Sequence, residues 1–266
     1  MLPVALTIAG SDPIGGAGLQ ADLKTFHQFG VYGEAVITLL TVQNTVRVMR
    51  VDCVPAELVL AQLAAVLEDI PPQAAKTGAL GNREIVEAIA AAAAEFRFPL
   101  VVDPVMIGKH GQPLISADAI AAVRDLLLPR ATVICPNLHE AEELTGLPVN
   151  TVDDMKAAAK RLCEMGAKAA LVKGGHLQES AVDVLYDGKD WREFVAPHFD
   201  TLHTHGTGCT HSAGIVAELA RGASVEAAVT RAKSYITQAI RSSPGLGHGA
   251  GPVNHHAPTG MKAGAR

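Results

Sequence analysis

The chain has 266 residues, 48% of them hydrophobic, 18% charged and 4% aromatic, and carries a formal net charge of −5. That length and hydrophobic share fill a sizeable core and exclude wholesale disorder, while an acidic balance with few aromatic rings argues against nucleic acid as a partner. Four cysteines, Cys53, Cys135, Cys163 and Cys209, lie far apart without any CxxC or metal-ligand spacing, and read as free thiols in a reducing compartment.

No apolar run reaches the roughly 18 residues that cross a bilayer, and the apolar N-terminus lacks the positive flank of a signal peptide. A cytoplasmic protein without a membrane partner is therefore expected. No linker composition divides the chain, so residues 1–256 are expected to form a single domain, with 257–266 as a flexible tail.

In chain order, residues 4–9 form a short apolar run that ends at Gly10; a glycine-rich loop with Gly15, Gly16 and Gly18 follows, then a helical pattern over 19–29. Residues 36–42 read as a second buried strand. After Pro55, the side chains Val59, Leu63, Val66, Leu67 and Ile70 share one helical face. Residues 74–77, 100–102, 132–135 and 169–172 are short runs bounded by turn residues and mostly separated by amphipathic segments of helix length, which is the pattern of a parallel sheet buried on both faces. Residues 182–186 and 191–195, joined across Asp187-Gly188, predict a hairpin near the sheet edge. Helices over 208–221 and 225–242 close the globule, and residues 244–252 are too glycine-rich for regular structure.

Ligands of open α/β sheets sit outside the carboxyl ends of the strands, and the polar and glycine clusters of this chain fall there. The strongest is His203-Thr-His-Gly-Thr-Gly-Cys209-Thr, placed just before a helix. Gly206 and Gly208 permit backbone geometries closed to other residues, so that the amides of Gly206, Thr207, Gly208 and Cys209 can converge on an anion; a tight turn into the helix is the plain alternative. In the first helical turn the dipole and nearby amides lower a thiol pKa below its free value of about 8.5, which suits Cys209 to act as a base, although buried cysteines are usually inert.

Asn137 and Glu140 stand one helical turn apart after a strand. They suit Mg²⁺ as oxygen ligands or equally form a capping box. Asp103 ends another strand, where Pro104 turns the carboxylate toward the same edge. Lys173 ends a third and precedes Gly-Gly-His, an arrangement that holds an ammonium over a polyphosphate or leaves it solvated. No GxxxxGK[ST] occurs, and no GxGxxG follows the first strand, so neither a Walker loop nor a dinucleotide site is expected. His255 and His256, in a glycine-rich stretch, are expected to face solvent.

Six motifs occur in order between residue 3 and about 256: the run from Ala9 to Phe26 with its Gly-Gly-Ala-Gly, Thr-Val-Gln43-Asn-Thr, Asp103-Pro-Val-Met, Pro-Asn137-Leu-His-Glu140, Lys173-Gly-Gly-His and Gly206-Thr-Gly-Cys209. Together they closely resemble the hydroxymethylpyrimidine/phosphomethylpyrimidine kinases of thiamine biosynthesis. The resemblance implies a ribokinase-like three-layer α/β fold, a mainly parallel central sheet with helices on both faces. It implies ATP and Mg²⁺ as cofactors, a pyrimidine substrate phosphorylated twice in succession, and a homodimer.

By that resemblance Gln43 hydrogen-bonds the aminopyrimidine edge, the Gly10 backbone holds the ring, Asp22 contacts the hydroxymethyl group and Val105 packs on the ring. Asn137, Glu140 and Asp103 belong to an Mg²⁺ network, Lys173 contacts the phosphates and Lys233 lies close to the nucleotide. Most ribokinase relatives carry aspartate where Cys209 stands, and the pyrimidine-kinase branch has cysteine. One position departs from the family: Ala79 occupies a site that is usually methionine, and a smaller side chain there leaves room beside the pyrimidine.

In the expected mechanism Cys209 accepts or guides the hydroxyl proton while the amides of residues 206–209, Lys173 and Mg²⁺ offset charge on the phosphoryl group. Three rivals share features of the sequence: a pyridoxal kinase on the same frame, a noncatalytic nucleotide- or pyrimidine-sensing module, and a cysteine hydrolase using Cys209 with His205 or His211.

Overall fold

The computed structural model describes residues 2–175 and 180–260. In chain order the elements are β1 (Val4–Ser11), α1 (Gly18–Gln28), β2 (Tyr32–Gln43), β3 (Val48–Cys53), α2 (Ala56–Asp69), β4 (Ala74–Thr77), α3 (Arg83–Ala93) and β5 (Leu100–Val102). There follow α4 (Ala117–Ala122), extended by a π-turn and a 3₁₀ turn to Arg130, then β6 (Val133–Ile134), α5 (Leu138–Thr145), α6 (Val152–Glu164), β7 (Ala170–Gly174), β8 (Ser180–Tyr186), β9 (Trp191–Pro197), α7 (Thr207–Ala220) and α8 (Val225–Arg241).

The strands form a nine-stranded sheet in the order β3-β2-β1-β4-β5-β6-β7-β8-β9. The six from β2 to β7 run parallel, and antiparallel pairs close both edges, β3 on β2 at one side and the β8–β9 hairpin on β7 at the other. Alternation along each strand splits the core in two. In β5, Leu100 and Val102 face the layer of α2 to α6, whereas Val101 faces α1, α7 and α8. The expected three-layer arrangement is therefore present, and the runs read from the sequence fall on β1, β2 and β4 to β9.

One element was not foreseen and one expectation changes. Residues 48–53, to which the sequence reading assigned no element, form β3, an exposed edge strand in which polar groups meet solvent. His255 is buried rather than solvent-facing: its Nε2 lies 3.1 Å from Thr210 Oγ1, and its carbonyl accepts from the Tyr235 hydroxyl at 2.9 Å. The physical reason is that Val253 and Ala257 anchor in the core beside α8 and draw the intervening histidine in with them, while His256 stays exposed. Among the described residues no helix is long and apolar enough to cross a membrane.

The strand order reverses beside β1: β2 and β3 lie to one side and β4 to β9 to the other, so the loops after β1 and β4 diverge and leave a crevice at the carboxyl edge. The segment before α7 crosses this edge and covers one side of the crevice, tied to the C-terminal segment by a bridge between His205 and Pro252.

Candidate active site

A cavity of about 500 Å³ occupies that crevice. Its walls come from the ends of β1, β4, β5, β6 and β7 and from the first turn of α7, and it includes Gly10, Gln43, Ala79, Asp103, Val105, Asn137, Glu140, Lys173 and residues 206–209. Twelve of the fourteen residues expected to form the site therefore line one cavity. Asp22 and Lys233 do not.

Gly206 is the N-cap of α7, with φ 78° in the left-handed region, and a Cβ there would collide with the Gly16 carbonyl oxygen. Gly208 departs from expectation because its φ is not left-handed. Space explains the glycine instead, since a Cβ would come 3.3 Å from Lys173 Nζ. The Thr207 amide bonds back to Thr204 and the Thr210 amide to Gly206, whereas the amides of Gly208 and Cys209 have no acceptor among the described residues. Two free N–H groups at the positive end of a 14-residue helix make a site for an anion.

Beside this turn, Asp103 accepts from Lys173 Nζ at 2.8 Å and from Ser212 Oγ at 2.9 Å. Burial raises the Asp103 carboxyl, but the ammonium groups of Lys173 and Lys76 outweigh it and hold it below the usual carboxylate range. Burial works to neutralise Lys173 in turn, and Asp103 and Glu140 keep it charged. Asn137 and Glu140 form the capping box of α5, with Glu140 Oε2 accepting from the Asn137 amide at 2.8 Å and Asn137 Oδ1 accepting from the Glu140 amide at 2.9 Å. Burial pushes the Glu140 carboxyl up to about 7, and nearby Asp103 adds to the shift.

These residues fit Mg²⁺. Their donors are hard oxygens, and the buried Glu140 carboxyl is short of positive charge, a deficit that a cation relieves. Among the described residues no cluster of three or more His, Cys, Asp or Glu side chains forms a protein cage; Mg²⁺ needs none, because it keeps several waters and takes one or two carboxylates plus phosphate oxygens.

The Cys209 thiol does not behave as its helical position suggests. Burial pushes it up to about 12; Lys76 and the Gly18 amide oppose the shift, and Asp22 and Asp103 reinforce it. Desolvation among carboxylates outweighs the helix dipole, so the thiol is neutral at pH 7 in this state.

Asp22 is the first correction to the site. It faces inward from α1, fully buried beneath the cavity, where its carboxylate takes Lys76 Nζ at 2.8 Å and Thr7 Oγ1 at 2.6 Å. Both oxygens are thus engaged by these two partners, and Asp22 does not line the cavity. Lys76, which sequence reasoning passed over, lies 4.0 Å from Asp103 and 3.5 Å from the Cys209 carbonyl oxygen. Burial would discharge it, and Asp22 overrides that and keeps it cationic. A lysine inside the otherwise apolar four-residue strand Ala-Ala-Lys-Thr was the available signal, because a charge so placed needs a partner.

Lys233 is the second correction. It projects from α8 into an ion pair with Asp183 at 2.8 Å, behind the cavity wall. Asp183 also accepts from the Gly174 amide at 3.1 Å, so the pair ties α8 to the end of β7 rather than reaching the cavity. His176 of the Lys173 motif lies outside the described residues.

The other end of the cavity is mixed. Leu39, Val105, Ile107 and Leu114 supply apolar walls, and the small Ala79 leaves space. Asp12, also unforeseen, accepts from the amides of Ile14 (3.1 Å), Gly16 (2.9 Å) and Ala17 (2.8 Å), and its Oδ2 lies 2.9 Å from His205 Nε2. Burial raises this carboxyl, and hydrogen bonds from His205, Gln43 and Ala17 outweigh it and hold it low. His205 and His211 are committed elsewhere, to Asp12 and toward Asp183, so neither pairs with the thiol as a hydrolase would require.

Residues 12–254 match the sequence model of the phosphomethylpyrimidine kinase family. A hydroxymethylpyrimidine/phosphomethylpyrimidine kinase of Bacillus subtilis is 44% identical over 256 residues, covering 95% of this chain and 94% of its own. One from Haemophilus influenzae is 48% identical over 260 residues, with 95% and 96% covered. Among solved structures, an ADP complex of Bacillus subtilis pyridoxal kinase superposes with a TM-score of 0.89 at 42% identity, covering 97% of this chain and 98% of that one.

Proposed function

The chain belongs to the phosphomethylpyrimidine kinase family, with a ribokinase-like fold, and from that premise we propose that it moves the γ-phosphoryl group of ATP onto 4-amino-5-hydroxymethyl-2-methylpyrimidine and then onto the monophosphate, in thiamine biosynthesis. One observation carries the reading: a single cavity joins free α7 amides, the half-buried Cys209 and Lys173 at one end to Gln43 and apolar walls at the other. Phosphoryl transfer asks a protein mainly for alignment and charge neutralisation, and this division of labour meets both demands.

Gln43 and the Gly10 backbone bind the heterocycle, with Val105 packed on it and open space at Ala79. The Gly208 and Cys209 amides, with Gly206 setting their direction and Thr207 opening the helix, hold the transferring phosphoryl oxygens. Lys173 neutralises phosphate charge, and its pairing with Asp103 keeps the ammonium aimed at the cavity edge. Asp103, Glu140 and, through the capping box, Asn137 would hold Mg²⁺, which supplies Lewis-acid neutralisation of the phosphate oxygens. A neutral thiol already holds its own proton, so Cys209 is suited to orient the hydroxyl by hydrogen bonding, and the hydroxyl proton leaves late, onto a phosphoryl oxygen, in keeping with a loose transition state.

The homodimer is supported by the family resemblance and by Leu40, Val42 and Met49 standing exposed on β2 and β3. A cytoplasmic location is supported by the four cysteines, all of them free.

Release of ADP, coupled to an optical readout, tests the function with hydroxymethylpyrimidine, its monophosphate and pyridoxal, each with and without Mg²⁺. Turnover of both pyrimidines that needs Mg²⁺ is expected. Turnover of pyridoxal alone would replace this reading with a vitamin B6 kinase, which the structural likeness to pyridoxal kinase and the space at Ala79 favour as the second candidate.

A further inference from the structure

Gln43 ends β2 and lines the cavity, and the turn that leads on into β3 carries Thr45 two residues further along. Asn44 closes this turn on itself, its Oδ1 accepting from the amides of Val46 and Arg47 at 2.9 and 3.0 Å. Thr45 points outward from it. Its Oγ1 accepts two amides from residues more than 200 positions along the chain, His248 at 3.1 Å and Gly249 at 3.2 Å.

The fit around Thr45 is tight on the loop side. A Cβ at Gly247 would overlap the Thr45 side chain, and one at Gly249 would overlap the Thr45 carbonyl oxygen. Glycine at both positions is thus required by contact with this one residue, and Gly247 is left-handed as well, at φ 85°. The same loop is stitched to the segment before α7: the Gly251 amide donates to His203 Nδ1 at 3.2 Å, the His205 amide to the Gly251 carbonyl at 3.0 Å and the Val253 amide to the His205 carbonyl at 3.3 Å. The loop therefore joins the turn that bears Gln43 to the segment that leads into the anion site.

We propose that Thr45 is a positioning residue for the heterocycle: its hydroxyl, clasped by the amides of residues 248 and 249, holds Gln43 at the depth where its amide meets the ring. The inference rests on Gln43 contacting the substrate, as in the reading above. An interaction with the ring is present equally in ground state and transition state, so its loosening raises KM and spares kcat. The Thr45 contacts fall on residues 248 and 249, whereas the segment before α7 is held separately through Gly251 and Val253 and Lys173 through Asp103, so the effect is expected at the heterocycle end.

The test uses Thr45→Val, which keeps the shape and removes the acceptor, Thr45→Ser, which keeps the acceptor, and Gly249→Ala, which drives the loop off the turn. Steady-state kinetics should show KM for the pyrimidine raised about 5- to 20-fold in Thr45→Val and Gly249→Ala, with kcat within about twofold, an unchanged KM for ATP and near-native values in Thr45→Ser. Hydrogen exchange on the unliganded protein gives a readout independent of substrate: residues 44–47 and the 248 and 249 amides should lose protection together in Thr45→Val and regain it in Thr45→Ser. Unchanged exchange in Thr45→Val, equal loss in Thr45→Ser, or a parallel rise in the KM for ATP overturns the proposal. Altered exchange in a native protein that turns over no pyrimidine would retire the functional reading and confine Thr45 to stability, which also overturns it.

Discussion

Replacing Lys76 by methionine probes the buried charges beneath the site. Lys76 and Asp22 are both fully inaccessible and lie 2.8 Å apart. At that distance their attraction is about 6 kcal/mol for an effective dielectric near 20, and desolvation consumes part of it. Lys76→Met leaves Asp22 with the Thr7 hydroxyl alone. An uncompensated buried carboxylate costs about 3–5 kcal/mol, which for a chain of this size lowers Tm by roughly 6–20 °C. Urea titration at pH 7, followed by circular dichroism, measures the loss. Adding Asp22→Asn removes the stranded charge, so the double variant should recover about 2 kcal/mol of it. A single-variant cost below about 1 kcal/mol, or a double variant whose losses simply add, would refute the view that these charges depend on each other.

Two further outcomes follow from the site and the C-terminal segment. Cys209→Ala should lower kcat about 100-fold, the scale of a misaligned attacking hydroxyl, with KM for ATP within threefold; near-native turnover in the ADP assay would remove the thiol from the mechanism and leave the amides. Burial pushes His255 down to about 4, and His211 likewise to about 4. The unfolded chain takes up these protons below pH 6.5 while the folded one does not, so the stability they contribute is complete above 6.5 and is lost as pH falls toward 4. Each is worth about 3 kcal/mol. Glu140, pushed up to about 7, titrates in the same window with the opposite sign, so the readout in urea titrations is the difference between the two proteins: His255→Gln should reduce the dependence of stability on pH by up to about one proton between pH 6 and 4.5, and an unaltered dependence would mean that His255 is not shielded.

The sheet was legible because its strands are short, apolar and buried on both faces, and the anion site because glycine, threonine and cysteine crowd before a helix. Residues whose placement depends on long-range packing were not. Asp22 sits in a motif shared with a family, but only the packing of α1 against the sheet turns its carboxylate down to Lys76. Lys233 shows the same limit, since Asp183, 50 positions earlier, decides where its ammonium goes. Cys209 failed at another level. Its place in the helix predicted a lowered pKa, yet burial beside Asp22 and Asp103, which no local pattern records, reversed the direction.

β1 is made before the other eight strands of the sheet, yet it lies inside the sheet with β2 on one side and β4 on the other. Its second edge stays unpaired until residue 74 has emerged, and the layer over its other face waits for α7 and α8, beyond residue 206. A nascent chain thus carries uncovered apolar surface on β1 until α7 and α8 have been made, the period in which chaperones would hold it. Because Thr207–Cys209 lie on the element that covers this face, the anion site forms only once that layer is in place.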